Sequence, residues 1–386
     1  MIKLESMVHP LQAKMAQKTK QLADAGRLRQ RRVVGAGLID FSHNDYLGLA
    51  SCEPMKAAAT EGAERYGVGA KASPLVSGYS QAHQALEQAL CQATGHQACL
   101  LFCSGFSANS ALIETLFDSD NTVVADKLIH ASVIDGIKHS GAKLKRFLHN
   151  DIESAQRILT KLEPTVVLTE STFSMDGDKA PLNELSALCK QHGSWLIVDD
   201  AHGFGITGIG EQVNSNGLSA VTADIADIQV VTFGKALGCQ GAAVLGSQQV
   251  IDYLVANARH YIYSTALSPA NAHVALAAIN YIQATPTLID KLNNNIALFR
   301  SLYQQSDVSS QYLLADSATP IQPIIIGADS EVVALANKLS KLGFVVGAIR
   351  SPTVPKGAAR LRITLSATHT SEQITNLVDA LSLSLS

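Results

Sequence analysis

Charged residues make up only 16% of the 386 residues, and they net to −3 without a long block of either sign. That leaves no electrostatic footprint for nucleic acid or for an anionic lipid surface. Long apolar runs are missing too. None approaches the ~18 residues that a bilayer span needs, and the N-terminal MIKLESMVHPLQAKMAQKTK lacks the continuous apolar stretch of a secretory leader. Cysteines are few and scattered, at Cys52, Cys91, Cys99, Cys103, Cys189 and Cys239, mostly in apolar or helical surroundings. They read as reduced, buried thiols of a cytoplasmic protein. His96, Cys99 and Cys103 have a loose ligand-like spacing, but Ala98–Phe102 reads as a strand, so no metal is expected. No internal repeat and no low-complexity segment is found. What is present is a chain 47% apolar, long enough for one large domain and a smaller one.

Residues 8–32 read as a polar, basic helix ending in GRLRQRR, either a solvated arm or one that folds over an anion. FSHNDYLGL (41–49) reads as a short strand running into a turn. Short β-rich runs then recur at 98–103, 121–125, 144–148, 165–169, 195–198, 228–232 and 242–245. Helical periodicity fills spacers such as 81–94, 107–117, 152–162 and 182–192. Apolar strands alternating with helices predict an α/β domain with a mostly parallel sheet covered on both faces. From about Ser268 a long helical pattern (270–305) leads to strands at 322–327, 344–349 and 360–365, with helices at 331–342 and from 371. The expected division is an N-terminal arm and strand over 1–45, a large α/β domain over 46–267 and a small α+β domain over 268–386.

In such sheets ligands bind beyond the carboxyl ends of the strands, and those ends carry chemistry here. In VVTFGKALG (Val230–Gly238), Lys235 follows a buried strand, where desolvation favours a neutral, nucleophilic amine able to form a Schiff base. SGFSANSAL (Ser104–Leu112) is a small-residue turn entering a helix, a seat for phosphate. His130 lies past strand 121–125 and could rest flat on an aromatic ring. TESTFSMDGD (Thr169–Asp178) offers hydroxyls, Ser174 among them. DDAHGFG begins with Asp199, an anion ending a buried strand that needs a cationic partner; a protonated pyridine nitrogen is one. His202 can orient a ligand by hydrogen bond. Each feature alone has an ordinary structural explanation. Together they meet the needs of pyridoxal 5′-phosphate (PLP).

Two other motifs fit less well. Gly203, Gly205 and Gly208 spell G-x-G-x-x-G after a strand, but the turn-rich GIGEQVNSNG that follows does not open a helix. GFSAN (Gly105–Asn109) approaches the hydrolase G-x-S-x-G and lacks its last glycine.

TFGKALG with GAAVL, VDDAHG, TESTFSMDGD, SGFSAN, FSHNDYLGL and LVSGYSQAHQALE together resemble the α-oxoamine synthases, fold-type-I PLP-dependent transferases. The resemblance runs over nearly the whole chain. It implies a cytoplasmic homodimer with active sites at the subunit interface and a C-acyltransferase activity. VSGYS (76–80) and AIRSPTVPKGAARLRITL (348–365) favour the member that condenses L-alanine with pimeloyl-CoA or pimeloyl-ACP in biotin biosynthesis. Members using glycine or serine with other acyl thioesters are the alternative. By matching motifs, Lys235 holds the cofactor and moves the substrate's α-proton, Asp199 pairs with the ring nitrogen, and His202, with Ser174 nearby, bonds the ring oxygen. His130 stacks on the ring. Gly105, Phe106 and Thr232 hold the phosphate, and Thr265 reaches that of the partner subunit. Arg27, Asn44, Thr353 and Arg362 match substrate-binding positions. The loop Thr207–Ala226 is longer than the resemblance implies.

Overall fold

The computed structural model describes residues 9–29, 31, 33–206 and 218–385. Gly208 and most of the long Thr207–Ala226 loop therefore lie outside the described residues.

Twelve strands are described: β1 (Ile39–Asp40), β2 (Ala98–Phe102), β3 (Thr122–Asp126), β4 (Lys143–Phe147), β5 (Val166–Glu170), β6 (Trp195–Asp199), β7 (Ile228–Thr232), β8 (Ala242–Gly246), β9 (Ile321–Gly327), β10 (Phe344–Val345), β11 (Gly347–Ile349) and β12 (Ala359–Thr364). The seven β-rich runs of the middle region form one seven-stranded sheet in the order β2-β8-β7-β6-β5-β3-β4. β7, β6, β5, β3 and β4 are parallel neighbours, and β8 runs antiparallel to both β2 and β7. The carboxyl ends of β2, β3, β5, β6 and β7 thus share one edge, with the start of β8 among them.

Side chains alternate between the faces even where a strand is buried on both. Leu100 and Phe102 of β2, Ile197 of β6 and Ile228 and Val230 of β7 pack under the helices Gly105–Leu116, Ala131–Ser140 and Gln248–Asn257. On the opposite face, Val167, Leu196 and Val198 meet the helices Ile152–Leu159 and Leu182–Gln191. Cys99, Leu101 and Val231 continue that face into the largest core cluster. The alternation sends Glu170 and Asp199, paired in register, toward the helix Gly105–Leu116, and Asp200 to the other side.

The C-terminal part is a three-stranded antiparallel sheet, β11-β12-β9, backed by the helices Asp329–Lys341 and Ser371–Leu385. The long helical pattern over 270–305 is two helices, Pro269–Ala284 and Thr287–Gln305. Pro286 cannot donate a helical hydrogen bond, so the periodicity carries across a real break. The basic N-terminal helix is shorter than its composition implies, Pro10–Asp24, and ends at Gly26, which has φ +65°. FSHNDYLGL holds no strand of its own: β1 precedes it, and the stretch ends in a single 3₁₀ turn, Leu49–Ser51. β1 pairs in parallel with β10, Ile39 opposite Phe344. Thr364 and Ala367 donate their N–H groups to the carbonyls of Phe41 and Tyr46, and His369 stacks on Phe41 at 3.9 Å. Residues 39–46 are thereby fastened to the C-terminal unit and lead from it to the sheet edge.

Candidate active site

A cavity of about 360 Å³ opens at the shared strand edge. Asn44, Gly105, Phe106, His130, Asp199, His202, Thr232 and Lys235 all line it. β7 carries Thr232 to its mouth, and the turn beyond sets Lys235 on its floor with Nζ 3.3 Å from the Thr232 hydroxyl. That turn depends on Gly238, at φ +60°, where an added Cβ would stand 2.3 Å from the Ala50 nitrogen. Burial, the dominant effect, lowers the pKa of the Lys235 amine; Asp199 and Glu170 pull the other way.

At the end of β2, Ser104 caps the helix Gly105–Leu116 by accepting from the Ser107 N–H. The N–H groups of Gly105 and Phe106 come before the first intrahelical bond and are free for an anion. Gly105 lies so near β7 that a Cβ would meet Thr232 Cγ2 at 2.5 Å, so only glycine lets helix and strand meet here.

Asp199 is 8% exposed. Its Oδ2 accepts from Asn109 Nδ2 at 2.8 Å and its Oδ1 from the Ala201 N–H at 3.1 Å. Among the described residues no cation lies within ion-pair distance of it. An anion held by neutral donors at a cavity wall suits a ligand that brings its own positive charge, as a protonated pyridine does. Burial first, and Asp199 second, push the pKa of the neighbouring Glu170 carboxyl well above the usual carboxylate range.

His202 is held far below its ordinary pKa, by burial first and then by Lys235, Arg362 and His130. Its Nδ1 lies 2.6 Å from the Tyr46 hydroxyl. Tyr46 is pushed up to about 12, chiefly by burial, with the nearby Arg362 charge opposing. With Nδ1 taken by Tyr46, Nε2 is the ring nitrogen left for the cavity.

The remaining expected residues stand back from the cavity. Arg362, buried, donates from Nη2 to Asn44 Oδ1 (3.1 Å), from Nη1 to the Thr364 hydroxyl (3.0 Å) and from Nε to the Ser174 carbonyl (2.7 Å). It reaches the cavity wall through Asn44, and Ser174 meets it through its backbone. Thr265 is exposed, its carbonyl accepting from the Cys103 thiol beside the cavity. Arg27 lies apart, paired with Asp329 at 3.4 Å, while Arg29 reaches the Thr353 hydroxyl. The N-terminal arm thus rests on the C-terminal unit.

Three residues of this site escape a reading of strand ends. Asn109 and Tyr46 sit inside recognised motifs, but only tertiary contact gives them their roles. Glu170 is one strand across from Asp199 and is visible once register is known.

The family profile of class I and II aminotransferases matches residues 36–381, so the fold is that of a fold-type-I PLP-dependent transferase. The chain is 46% identical over 349 residues to the 8-amino-7-oxononanoate synthase of Vibrio atlanticus, covering 90% of this chain and 84% of that protein. The solved 8-amino-7-oxononanoate synthase of Francisella tularensis is 32% identical, with a TM-score of 0.77 over 90% of this chain and 98% of that one. A serine palmitoyltransferase from S. paucimobilis, solved with PLP–myriocin bound, is 25% identical, with a TM-score of 0.85 over 96% of each chain. The chain belongs to the α-oxoamine synthase family and, within it, to the 8-amino-7-oxononanoate synthases.

Proposed function

We propose that this chain condenses L-alanine with a pimeloyl thioester, carried on coenzyme A or on an acyl carrier protein, releasing carbon dioxide and the free thiol. The observation that carries the reading is a partly buried amine, Lys235, facing a buried carboxylate, Asp199, across one cavity, with Arg362 fixed behind Asn44.

PLP supplies an aldehyde that links to amines and a ring that accepts the electrons released at the α-carbon. The N–H groups of Gly105 and Phe106 and the Thr232 hydroxyl would hold its phosphate. Asp199, aimed by Asn109, would keep the proton on the ring nitrogen, and His202 Nε2, with Ser174 nearby, would bond the ring oxygen. His130 would cover the ring face. The lowered pKa of Lys235 suits it to take the α-proton of the amino acid and to return a proton later. His130, exposed at the cavity, can pass a proton or polarise the thioester carbonyl as charge develops there. Arg362 neutralises the amino-acid carboxylate, while Arg27 and Thr353 serve the acyl substrate.

A homodimer with interfacial sites belongs to the same proposal, Thr265 reaching the partner's phosphate. The exposed apolar residues Leu75, Val76, Phe106 and Tyr263 support it. Their segments adjoin, since the Ala266 N–H bonds the Ala72 carbonyl and the Cys103 thiol bonds the Thr265 carbonyl.

The test is a panel of amino acids crossed with acyl thioesters, following thiol release. Alanine with pimeloyl thioester should give the highest kcat/KM, and Lys235→Ala should be colourless and inactive. A clear preference for glycine or serine would overturn the proposal.

A further inference from the structure

β3 ends in Asp126, whose side chain is fully buried. Its Oδ1 accepts from the Leu128 N–H (2.8 Å) and from His149 Nδ1 (2.9 Å), and its Oδ2 accepts from the Asn150 N–H (2.9 Å). The other ring nitrogen of His149 lies 2.6 Å from Asp178 Oδ2, which also accepts from Asn150 Nδ2 at 2.7 Å. Carboxylates only accept, so both ring nitrogens must donate and the imidazole is a cation. Phe173 meets its ring at 4.4 Å in an edge-to-face contact, and Asn150 takes a left-handed φ of 55° to complete the arrangement.

Asp178 closes a loop that runs from Ser171 to Ala180, since its carbonyl accepts from the Phe173 N–H. The far side of this loop is fastened to the C-terminal unit. Asp176 pairs with Arg360, the Gly177 carbonyl accepts from the Ser317 and Thr319 hydroxyls, and the Ser174 carbonyl accepts from Arg362 Nε. The loop is thus gripped at one end by His149 and at the other by the unit that supplies Arg362. Asp126 also fixes the turn that leads to His130.

We propose that His149 is a positioning residue. As a cation between Asp126 and Asp178 it locks the Ser171–Ala180 loop to the end of β3, and so sets Arg362 for the amino-acid substrate. It touches neither substrate nor cofactor. Burial works against its charge, but the bonds to Asp126 and Asp178 prevail and hold its pKa up at about 9. The groups facing it are Asp126 from β3 and Asp178 from the loop. Asp151, next along its own segment, is engaged in capping the helix Ile152–Leu159, and Lys179 offers only its carbonyl, to Asn150. Among the described residues no cation is paired with the ring.

The kinetic consequence rests on the amino-acid condensation proposed above; the charge state does not, so the test has two arms. In the full-length holoenzyme carrying ¹³Cε1-histidine, the resonance removed by His149→Gln should titrate near pH 9. It should fall by about one unit or more in Asp178→Asn, in keeping with the loss of a bonded anion. In steady-state assays, both substitutions should raise KM for the amino acid about tenfold, with kcat changed by less than about threefold and KM for the thioester unmoved. His149→Arg should recover part of the loss by restoring a cation with several donors. A midpoint near 6.5 overturns the clamp, as does an unchanged amino-acid KM in well-folded Asp178→Asn. Wild-type protein that turns over no amino acid overturns the condensation reading alone, and the resonance arm still decides the clamp.

Discussion

Asp199 has an exacting place in the site because its charge must survive burial with no cation among the described residues within ion-pair distance. Asn109 makes that possible by tying Oδ2 to the helix Gly105–Leu116 and to the Ser132 hydroxyl. A hydrogen bond to a charged group contributes about 1.5–3 kcal/mol. Asn109→Ala should therefore lower kcat by roughly 10- to 100-fold while the protein remains folded by circular dichroism. Wild-type kcat in that variant would show that Asp199 needs no such support. The sequence disclosed the strand-end residues Lys235, Asp199, His202 and His130 because a rule about sheets says where to look. Asn109 and Tyr46 stayed hidden because nothing in a linear string says which partner a buried amide or phenol will find. Arg27 and Thr353 were singled out only by resemblance, and they sit at the arm and not at the cavity wall.

At the level of elements, the turn after β7 does the geometric work of presenting Lys235. Gly238 has both a positive φ and backbone of Leu49 and Ala50 within 3 Å of any added Cβ, so neither strain nor collision can be relieved by a rotamer change. Gly238→Ala should destabilise the fold by about 1–3 kcal/mol and weaken cofactor binding in parallel. Denaturant midpoints together with PLP titration would measure both. Gly67→Ala shares the positive φ but meets no atoms within 4 Å, and separates strain from collision. The strands of the large sheet were legible to within a residue or so, because β-branched runs between helical spacers leave little ambiguity, whereas the expected strand 344–349 is two, β10 and β11, in different sheets. The direction of β8 was legible only from length: the nine residues 233–241 fall short of the dozen or so that a parallel crossover needs, so adjacent strands joined by them run antiparallel. The split at Pro286 was legible in principle, since proline forbids a continuous helix, but strong apolar periodicity on both sides masks it.

For the whole molecule, buried titratable groups set a pH range of stability. His83, His96 and His369 are held neutral by burial, His96 and His369 at about 4. Their folded pKa values are depressed, so the stability they contribute is present above about 6.5 and lost as pH falls toward 4. Glu170 and Asp200, raised chiefly by burial and the latter to about 7, act in the opposite sense and soften this acid limb. His149 has a raised folded pKa, so its contribution is complete below about 6.5 and is lost as pH rises through about 9. Thermal midpoints should peak near pH ~6.5 and fall on both sides. His149→Gln should flatten the alkaline limb, and an alkaline limb identical to wild type would count against the assignment.

The parallel pairing of Ile39–Asp40 with Phe344–Val345 has a consequence for how the protein is made. A ribosome adding about 5–20 residues per second emits the second strand of this pair roughly 15–60 s after the first. Throughout that interval the segment that will hold Asn44 and Tyr46 lacks its contacts with the C-terminal unit, while the seven-stranded sheet can already assemble around Lys235. Active-site completion is therefore the closing event of biosynthesis, and a nascent chain stalled before residue 344 carries a nearly finished cofactor bed with its substrate wall unbuilt.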